Sequence, residues 1–163
     1  GLMPPGGLHA IKFTQNTRLD KQTVVRNALT RGLRIATWDV PKVPNYTIGP
    51  DAYDTLAKNL TDEPHDENSY HGFSYTIACL HESKWGVAEY LKRADRVLEL
   101  DLGDVIDSYS RVQKLVGECN EIVPFAMKEE LEAHTCRKCS ELLTEAKKCE
   151  LEALEILSGL LAK

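Results

Sequence analysis

The sequence predicts a mainly α-helical protein: a bundle of about five helices with one short β element near the N-terminus. Two observations support this fold class. Five segments repeat apolar residues at steps of three and four, whereas only one short run has the character of a strand. The chain has 163 residues, enough for one domain with a single sizeable core. We therefore expect residues 1–163 to form one helical domain.

Composition narrows the classes of partner. The net charge of -5, from 20 Lys+Arg and 25 Asp+Glu, argues against nucleic-acid binding, which needs a clustered cationic face. No apolar run approaches the roughly 18 residues that a membrane span needs. The first residues lack the basic start and apolar stretch of a signal peptide, so a cytoplasmic location is expected. The odd number of cysteines, 5, fits reduced thiols better than a disulfide scaffold.

The first third of the chain contains the strand candidate and two helices. Residues 8–13 follow a Gly/Pro-rich lead, and their apolar residues Leu8, Ile11 and Phe13 are interrupted by His9 and Lys12, as in a short edge strand. Asp20 is typical of an N-cap, and apolar residues then recur at helical spacing up to Trp38. Residues 39–50 contain three prolines and form a loop, which ends where Pro50 can open a second helix.

The remaining segments predict three further helical stretches. Residues 69–98 indicate one helix or a kinked pair, with Gly72 and Gly86 as weak points. After Gly103 a cleaner helical pattern continues until Pro124 stops it. Apolar residues between 131 and 161 describe a last long helix, whose outer face carries opposite charges four residues apart.

One cysteine motif resembles half of a zinc site. Cys136 and Cys139 have the two-residue spacing of metal ligands, and His134 lies close by. The second half is missing, because Cys149 lies about 220° further around the same helix. Thiols packed in the helical core are the favoured interpretation, since free cysteine is among the most buried residue types. We expect neither a bound metal nor another cofactor.

Isolated polar residues offer weaker signals for catalysis or binding. His9, His71 and His81 are candidate general bases, because histidine as a residue type can change charge in the neutral pH range, but no motif gives any of them a catalytic partner. His71 and Tyr75 lie four apart and Glu82 follows, which would make a polar stripe on one helix. Solvated or satisfied histidines are the commoner outcome. The acidic segment 61–68 lacks the spacing and glycine of an EF-hand and is typical of a surface loop.

The helix that Pro50 opens is the more specific candidate site. Tyr53 and Asp54 lie in its first turn, where free backbone amides can face a cleft and attract an anionic or carbonyl group. Ordinary capping, with an acidic residue favouring the helix dipole, is the alternative. The candidate ligand-binding residues are therefore Tyr53, Asp54, His71, Tyr75 and Glu82.

Several of these segments, in this order, resemble a known family. Residues 8–13, the helix around 28–33, the motif 49–54 followed by Leu56 and Leu60, and residues 73–91 are similar to the later half of butirosin biosynthesis protein H-like proteins. These are papain-like, C39-peptidase-like acyltransferases. The resemblance implies a helical module that covers a ligand or acyl-substrate cleft.

The chain departs from that family in one important respect. The family's nucleophilic Cys and its His precede the region that resembles this chain, so whether a catalytic half precedes this segment in the native gene is open. None of the five cysteines of this chain matches the position of the family's nucleophile. The five are Cys79, Cys119, Cys136, Cys139 and Cys149. The resemblance therefore implies a module that is not catalytic by itself.

Three functions remain open from the sequence. The first is a non-catalytic module that binds a small molecule or a partner domain. The second is a small stand-alone enzyme that uses the five candidate residues as a polar cleft, and the third is a helical homodimer that buries the leucine stripe of its last helix. A cleft lined by the five residues favours the enzyme, whereas a flat apolar patch favours the dimer.

Overall fold

The computed structural model describes residues 19–37, 47–62, 67–124 and 131–162. Within these ranges it contains five helices and no strand, which confirms the mainly helical prediction. The helices are α1 (Lys21–Ala36), α2 (Asp51–Asp62), α3 (Glu67–Leu98), α4 (Gly103–Ile122) and α5 (Ala133–Leu161). The strand candidate 8–13, His9 and most of the proline-rich loop lie outside the described residues.

Local signals account for the start of each of the first two helices. Asp20 caps α1, because its side chain accepts a hydrogen bond of 2.9 Å from the backbone amide of Thr23. The Thr23 hydroxyl donates a second hydrogen bond to the Asp20 carboxyl, and this bond, followed by the one from the amide, lowers the pKa of that carboxyl. Pro50 directly precedes α2, as predicted, and Asp51 and Asp54 place negative charge in its first turn.

The long third helix is continuous, which decides between the two alternatives for residues 69–98. Gly72 and Gly86 lie inside α3 without ending it, and a methyl group added at either would meet no atom within 4 Å. A short linker after Leu98 reverses the chain into α4. Asp95 fixes this linker by accepting a hydrogen bond of 2.8 Å from the amide of Leu102.

Three antiparallel helices form the centre of the bundle. α4 packs between α3 and α5, and the two shorter helices pack against this unit from outside. α1 and α2 follow each other along α5: Arg26 on α1 donates to the Leu161 carbonyl at one end, and Lys147 on α5 binds Asp54 of α2 farther along. The end of α1 meets the start of α2 where Ala36 approaches Gly49.

The buried side chains divide into two apolar clusters along the bundle. The first lies between α2 and the adjoining parts of α3, α4 and α5, and includes Ile77, Val116 and Leu143. The second lies under α1 and includes Leu29, Leu91 and Leu157. α1 contributes a single buried residue, Leu29, whereas α5 contributes nine. α1 is therefore the least firmly packed of the five helices.

Within the described ranges, no helix combines the length and apolar content that crossing a bilayer requires.

Candidate functional site

A buried carboxylate joins four helices where the two apolar clusters meet. Glu150 of α5 is 4% exposed and accepts hydrogen bonds from three side chains. The Tyr53 hydroxyl on α2 donates to Oε2 at 2.7 Å, and the Lys84 ammonium on α3 donates to Oε1 at 2.6 Å. The Tyr109 hydroxyl on α4 lies 3.4 Å from Oε1. We call these four residues the Glu150 cluster.

The Glu150 cluster satisfies the requirements of a charge in an apolar interior. A buried carboxylate is tolerated only when it is paired and hydrogen-bonded, and Glu150 has both an ammonium partner and two hydroxyl donors. The Lys84 side chain is 14% exposed, and its nitrogen lies 5.6 Å from the centre of the Tyr53 ring. The Glu150 carboxylate thus binds one side chain from each of three other helices, α2, α3 and α4.

The environment keeps both tyrosines of the cluster neutral. Burial, reinforced by the negative charge of Glu150 and the hydrogen bond to it, raises the pKa of Tyr53 far above its ordinary value. The same causes raise the pKa of Tyr109. Both hydroxyls therefore remain proton donors to Glu150 throughout the physiological pH range.

A cavity of about 520 Å³ lies between α1 and the Glu150 cluster; we call it the α1 cavity. Lys84, Tyr109 and Glu150 form its polar end, and the rest of its wall is mostly aliphatic. Its remaining lining residues are Ala28, Leu29, Gly32, Leu33, Ile35, Ala36, Gly49, Ser83, Gly86, Val87, Tyr90, Leu91, Leu154 and Leu157. This volume is typical of small-molecule sites, and an apolar wall with a few convergent polar groups is their usual character.

A second cavity, of about 510 Å³, lies between α2 and α3 on the other side of Lys84. Tyr53 and Lys84 line it together with Leu56, Leu80 and Asn59. Lys84 and Gly49 are common to both cavities. The Lys84–Glu150 pair therefore stands at the boundary between two spaces.

Tyr53 and Asp54, the first two candidate residues from the sequence, lie in different environments. Tyr53 is 3% exposed and its hydroxyl is committed to Glu150, although the residue also lines the second cavity. Asp54 is exposed and forms an ion pair with Lys147 at the surface. The backbone amides of Ala52 and Tyr53 donate to the carbonyls of Gly49 and Pro50, so these two amides are not available to a ligand.

The other three candidates lie on exposed parts of α3. His71, Tyr75 and Glu82 are exposed, and none of them lines either cavity described above. A hydrogen bond with Cys79 is the main cause that raises the pKa of Tyr75. These three residues therefore lie on the exposed side of α3, apart from the buried hydroxyl of Tyr53, and a site formed by them stays a prediction.

The cysteines behave as the core interpretation predicts. Cys119, Cys136, Cys139 and Cys149 are buried, and Cys79 is exposed. The Cys119 thiol lies 3.6 Å from the Cys139 carbonyl oxygen, and its hydrogen bond to the Cys139 side chain together with burial raises its pKa. Among the described residues no three His, Cys, Asp or Glu side chains are grouped as metal ligands would be.

Two residues of the Glu150 cluster carry a sequence signal that belongs to none of the motifs described above. Lys84 lies four residues from Leu80 and from Ala88, and Glu150 lies four from Ala146 and from Leu154. Each charge therefore interrupts the apolar face of its own helix. A charged residue in such a stripe is buried only when it has a partner, which is a reason to search for one.

Comparison with known proteins adds no homologue to this picture. No protein-family model, curated protein or solved structure matches the chain. The resemblance to butirosin biosynthesis protein H-like proteins therefore stays a prediction.

Proposed function

We propose that this chain is a helical module that binds a small molecule in the α1 cavity. One observation carries the proposal: a cavity of about 520 Å³ with mostly aliphatic walls ends at a partly buried Lys–Glu pair. The aliphatic wall supplies affinity through burial of apolar ligand surface, and the pair supplies a polar contact that fixes orientation. The family resemblance implies a similar role, a helical module that covers a ligand cleft.

The position of α1 supports access to this cavity. α1 forms one wall but buries only Leu29, so it is held to the bundle by far less apolar surface than the other helices. A helix held in this way can move aside to admit a ligand, while α3, α4 and α5 retain their shared core. A partner domain, a homodimer and a stand-alone enzyme stay alternative hypotheses, with no described contact that favours one of them.

Titration with the neutral fluorescent probe N-phenylnaphthylamine tests the proposal. We expect a saturable rise in fluorescence that reaches a stoichiometry of one probe per chain. Gly86→Leu would fill the cavity, because Gly86 lines it and has open space at its Cβ position. This variant should weaken probe binding at least tenfold.

Gly72→Leu is the matched control. Gly72 is on the same helix, also has open space around it and does not line the cavity. Helical propensity favours leucine over glycine at both positions, so both variants should fold. Probe binding that is non-saturable, or equal in the two variants, would contradict the proposal.

A further inference from the structure

We propose that the ligand of the α1 cavity is an uncharged, largely apolar molecule whose single polar group is a hydrogen-bond acceptor, such as a ketone oxygen, bound by Lys84. The inference rests on the proposed function and specifies the chemical class of its ligand. Two independent features of the polar end of the α1 cavity support this ligand class: its hydrogen bonds and its charges.

Hydrogen bonding at the polar end leaves donors rather than acceptors. Glu150 already accepts from three side chains, two of them on Oε1 and one on Oε2. Lys84 has three N–H groups and, among the described residues, donates only to Glu150. A ligand at this end therefore meets N–H groups that can donate to an acceptor, beside a carboxylate that already accepts three hydrogen bonds.

Charge at the polar end is balanced before any ligand arrives. Among the described residues, Lys84 and Glu150 are the charged ones that line the α1 cavity, and they neutralise each other across 2.6 Å. A ligand carboxylate would add an uncompensated negative charge next to Glu150. A ligand ammonium would compete with Lys84 for the same carboxylate and leave an excess positive charge. Because an unpaired charge in an apolar space is strongly disfavoured, a neutral acceptor fits best.

The wall opposite the polar end sets the body of the ligand. α1 contributes aliphatic and small residues to it, and α5 contributes Leu154 and Leu157. The part of this wall that the structure describes offers no further charged group to a ligand. The ligand body is therefore hydrocarbon, of a size that a cavity of about 520 Å³ accepts.

Competition for bound N-phenylnaphthylamine at neutral pH tests the charge argument. The competitors are methyl octyl ketone, decanoate and decylamine, which share a chain length and differ in the charge of the head. We expect the ketone to displace the probe at a concentration at least tenfold lower than either ion. Equal or stronger competition by decanoate or decylamine overturns the inference.

The double variant Lys84→Met with Glu150→Gln tests the hydrogen-bond argument. It removes both charges together, so it avoids an unpaired buried ion, and it removes the ammonium donor. We expect the ketone to lose at least fivefold more affinity than the probe, which carries no acceptor oxygen. Unchanged ketone affinity overturns the role of Lys84.

The two levels of the proposal fail in different ways. If the native chain binds the probe saturably and Gly86→Leu abolishes this binding, the α1 cavity is a ligand site. This conclusion does not depend on the result of the competition experiment. A lost preference for the ketone then overturns the ligand class alone. If the probe does not bind at the cavity, the proposed function fails and the ligand class fails with it.

Discussion

The hydroxyl of Tyr53 and the carboxylate of Glu150, 97 positions apart in the chain, meet in a hydrogen bond of 2.7 Å inside the bundle. This bond ties α2 to α5. Glu150 also joins the two apolar clusters, because Tyr53 packs in the first, while Tyr109, whose hydroxyl also donates to Glu150, packs in the second. The contact therefore belongs both to the stability of the fold and to the site.

Replacing Tyr53 by phenylalanine should destabilise the protein by about 1–3 kcal/mol, because a buried carboxylate loses a hydrogen-bond donor. Asp54→Asn, in the same helix turn, should cost less than about 1 kcal/mol, since the carboxylate of Asp54 is exposed and pairs at the surface. Urea denaturation gives both values. Equal losses in the two variants would contradict the structural role of the Tyr53 hydroxyl.

Lys84→Met should cost about 3–5 kcal/mol, because it leaves Glu150 as an unpaired buried charge. Adding Glu150→Gln to the same chain should restore much of that loss, since the charge then disappears as well. A double-mutant cycle in urea measures the coupling between the two positions. If the double variant is less stable than Lys84→Met alone, the two residues do not form the pair described here.

The helical pattern predicted most of the fold but not the way in which the helices meet. Apolar spacing, the Asp20 cap, Pro50 and Pro124 placed four helices close to their observed bounds, and the last helix begins at Ala133, just after Leu131. These signals are local. The continuity of α3 through Gly72 and Gly86 follows from tertiary packing, which outweighs the cost of a glycine in a helix.

The sequence predicts less of the candidate site, because the contacts of the site also depend on how the helices pack. The place of Tyr53 in the first turn of α2 makes it a candidate, but its partner is on α5. Lys84 and Glu150 each interrupt an apolar stripe, which identifies them as buried charges and not as a pair. Their contact depends on the relative register of α3 and α5, and no local pattern encodes that register.

The protein should lose stability steeply above pH 10. Burial raises the pKa of Tyr53 and Tyr109, so near that pH the unfolded chain releases two protons that the folded chain retains. Release by the unfolded state favours unfolding, with a slope of about 1.4 kcal/mol per pH unit for each tyrosine. Below pH 10 both states keep these protons and the contribution is constant.

The double variant Tyr53→Phe with Tyr109→Phe isolates this effect. Its free energy of unfolding should fall less steeply between pH 10 and pH 11 than that of the native chain, by about 3 kcal/mol per pH unit at most. Urea titrations at fixed pH values provide the comparison. Parallel pH profiles would show that the two phenols titrate alike in both states.

Ellman's reagent should modify a single thiol quickly in the folded protein. Cys79 is exposed, whereas the other four cysteines are buried, and burial raises the pKa of Cys136 and Cys149. Cys79→Ser should abolish the fast phase and leave the slow one. A fast phase of two or more thiols in the native chain would contradict the burial of the core cysteines.

Gly49→Ala should loosen α1 from the bundle. Gly49 has a φ of 66°, which disfavours alanine, and a Cβ at this position would overlap the carbonyl oxygen of Ala36 at the end of α1. Because both atoms belong to backbone segments, relief requires that the end of α1 move away. We expect a loss of about 1–3 kcal/mol from the strained backbone and the displaced contact.

Hydrogen exchange distinguishes this local effect from general destabilisation. The amides in the last turns of α1 should exchange faster in Gly49→Ala, while those at the centres of α4 and α5 should keep their order of protection. Gly72→Ala is the control: it adds a methyl group in open space inside α3 and should stabilise the protein by about 0.5–1 kcal/mol. If α1 in Gly49→Ala exchanges as in the native chain, the contact between Ala36 and Gly49 does not hold this helix in place, and the entrance to the α1 cavity must be controlled elsewhere.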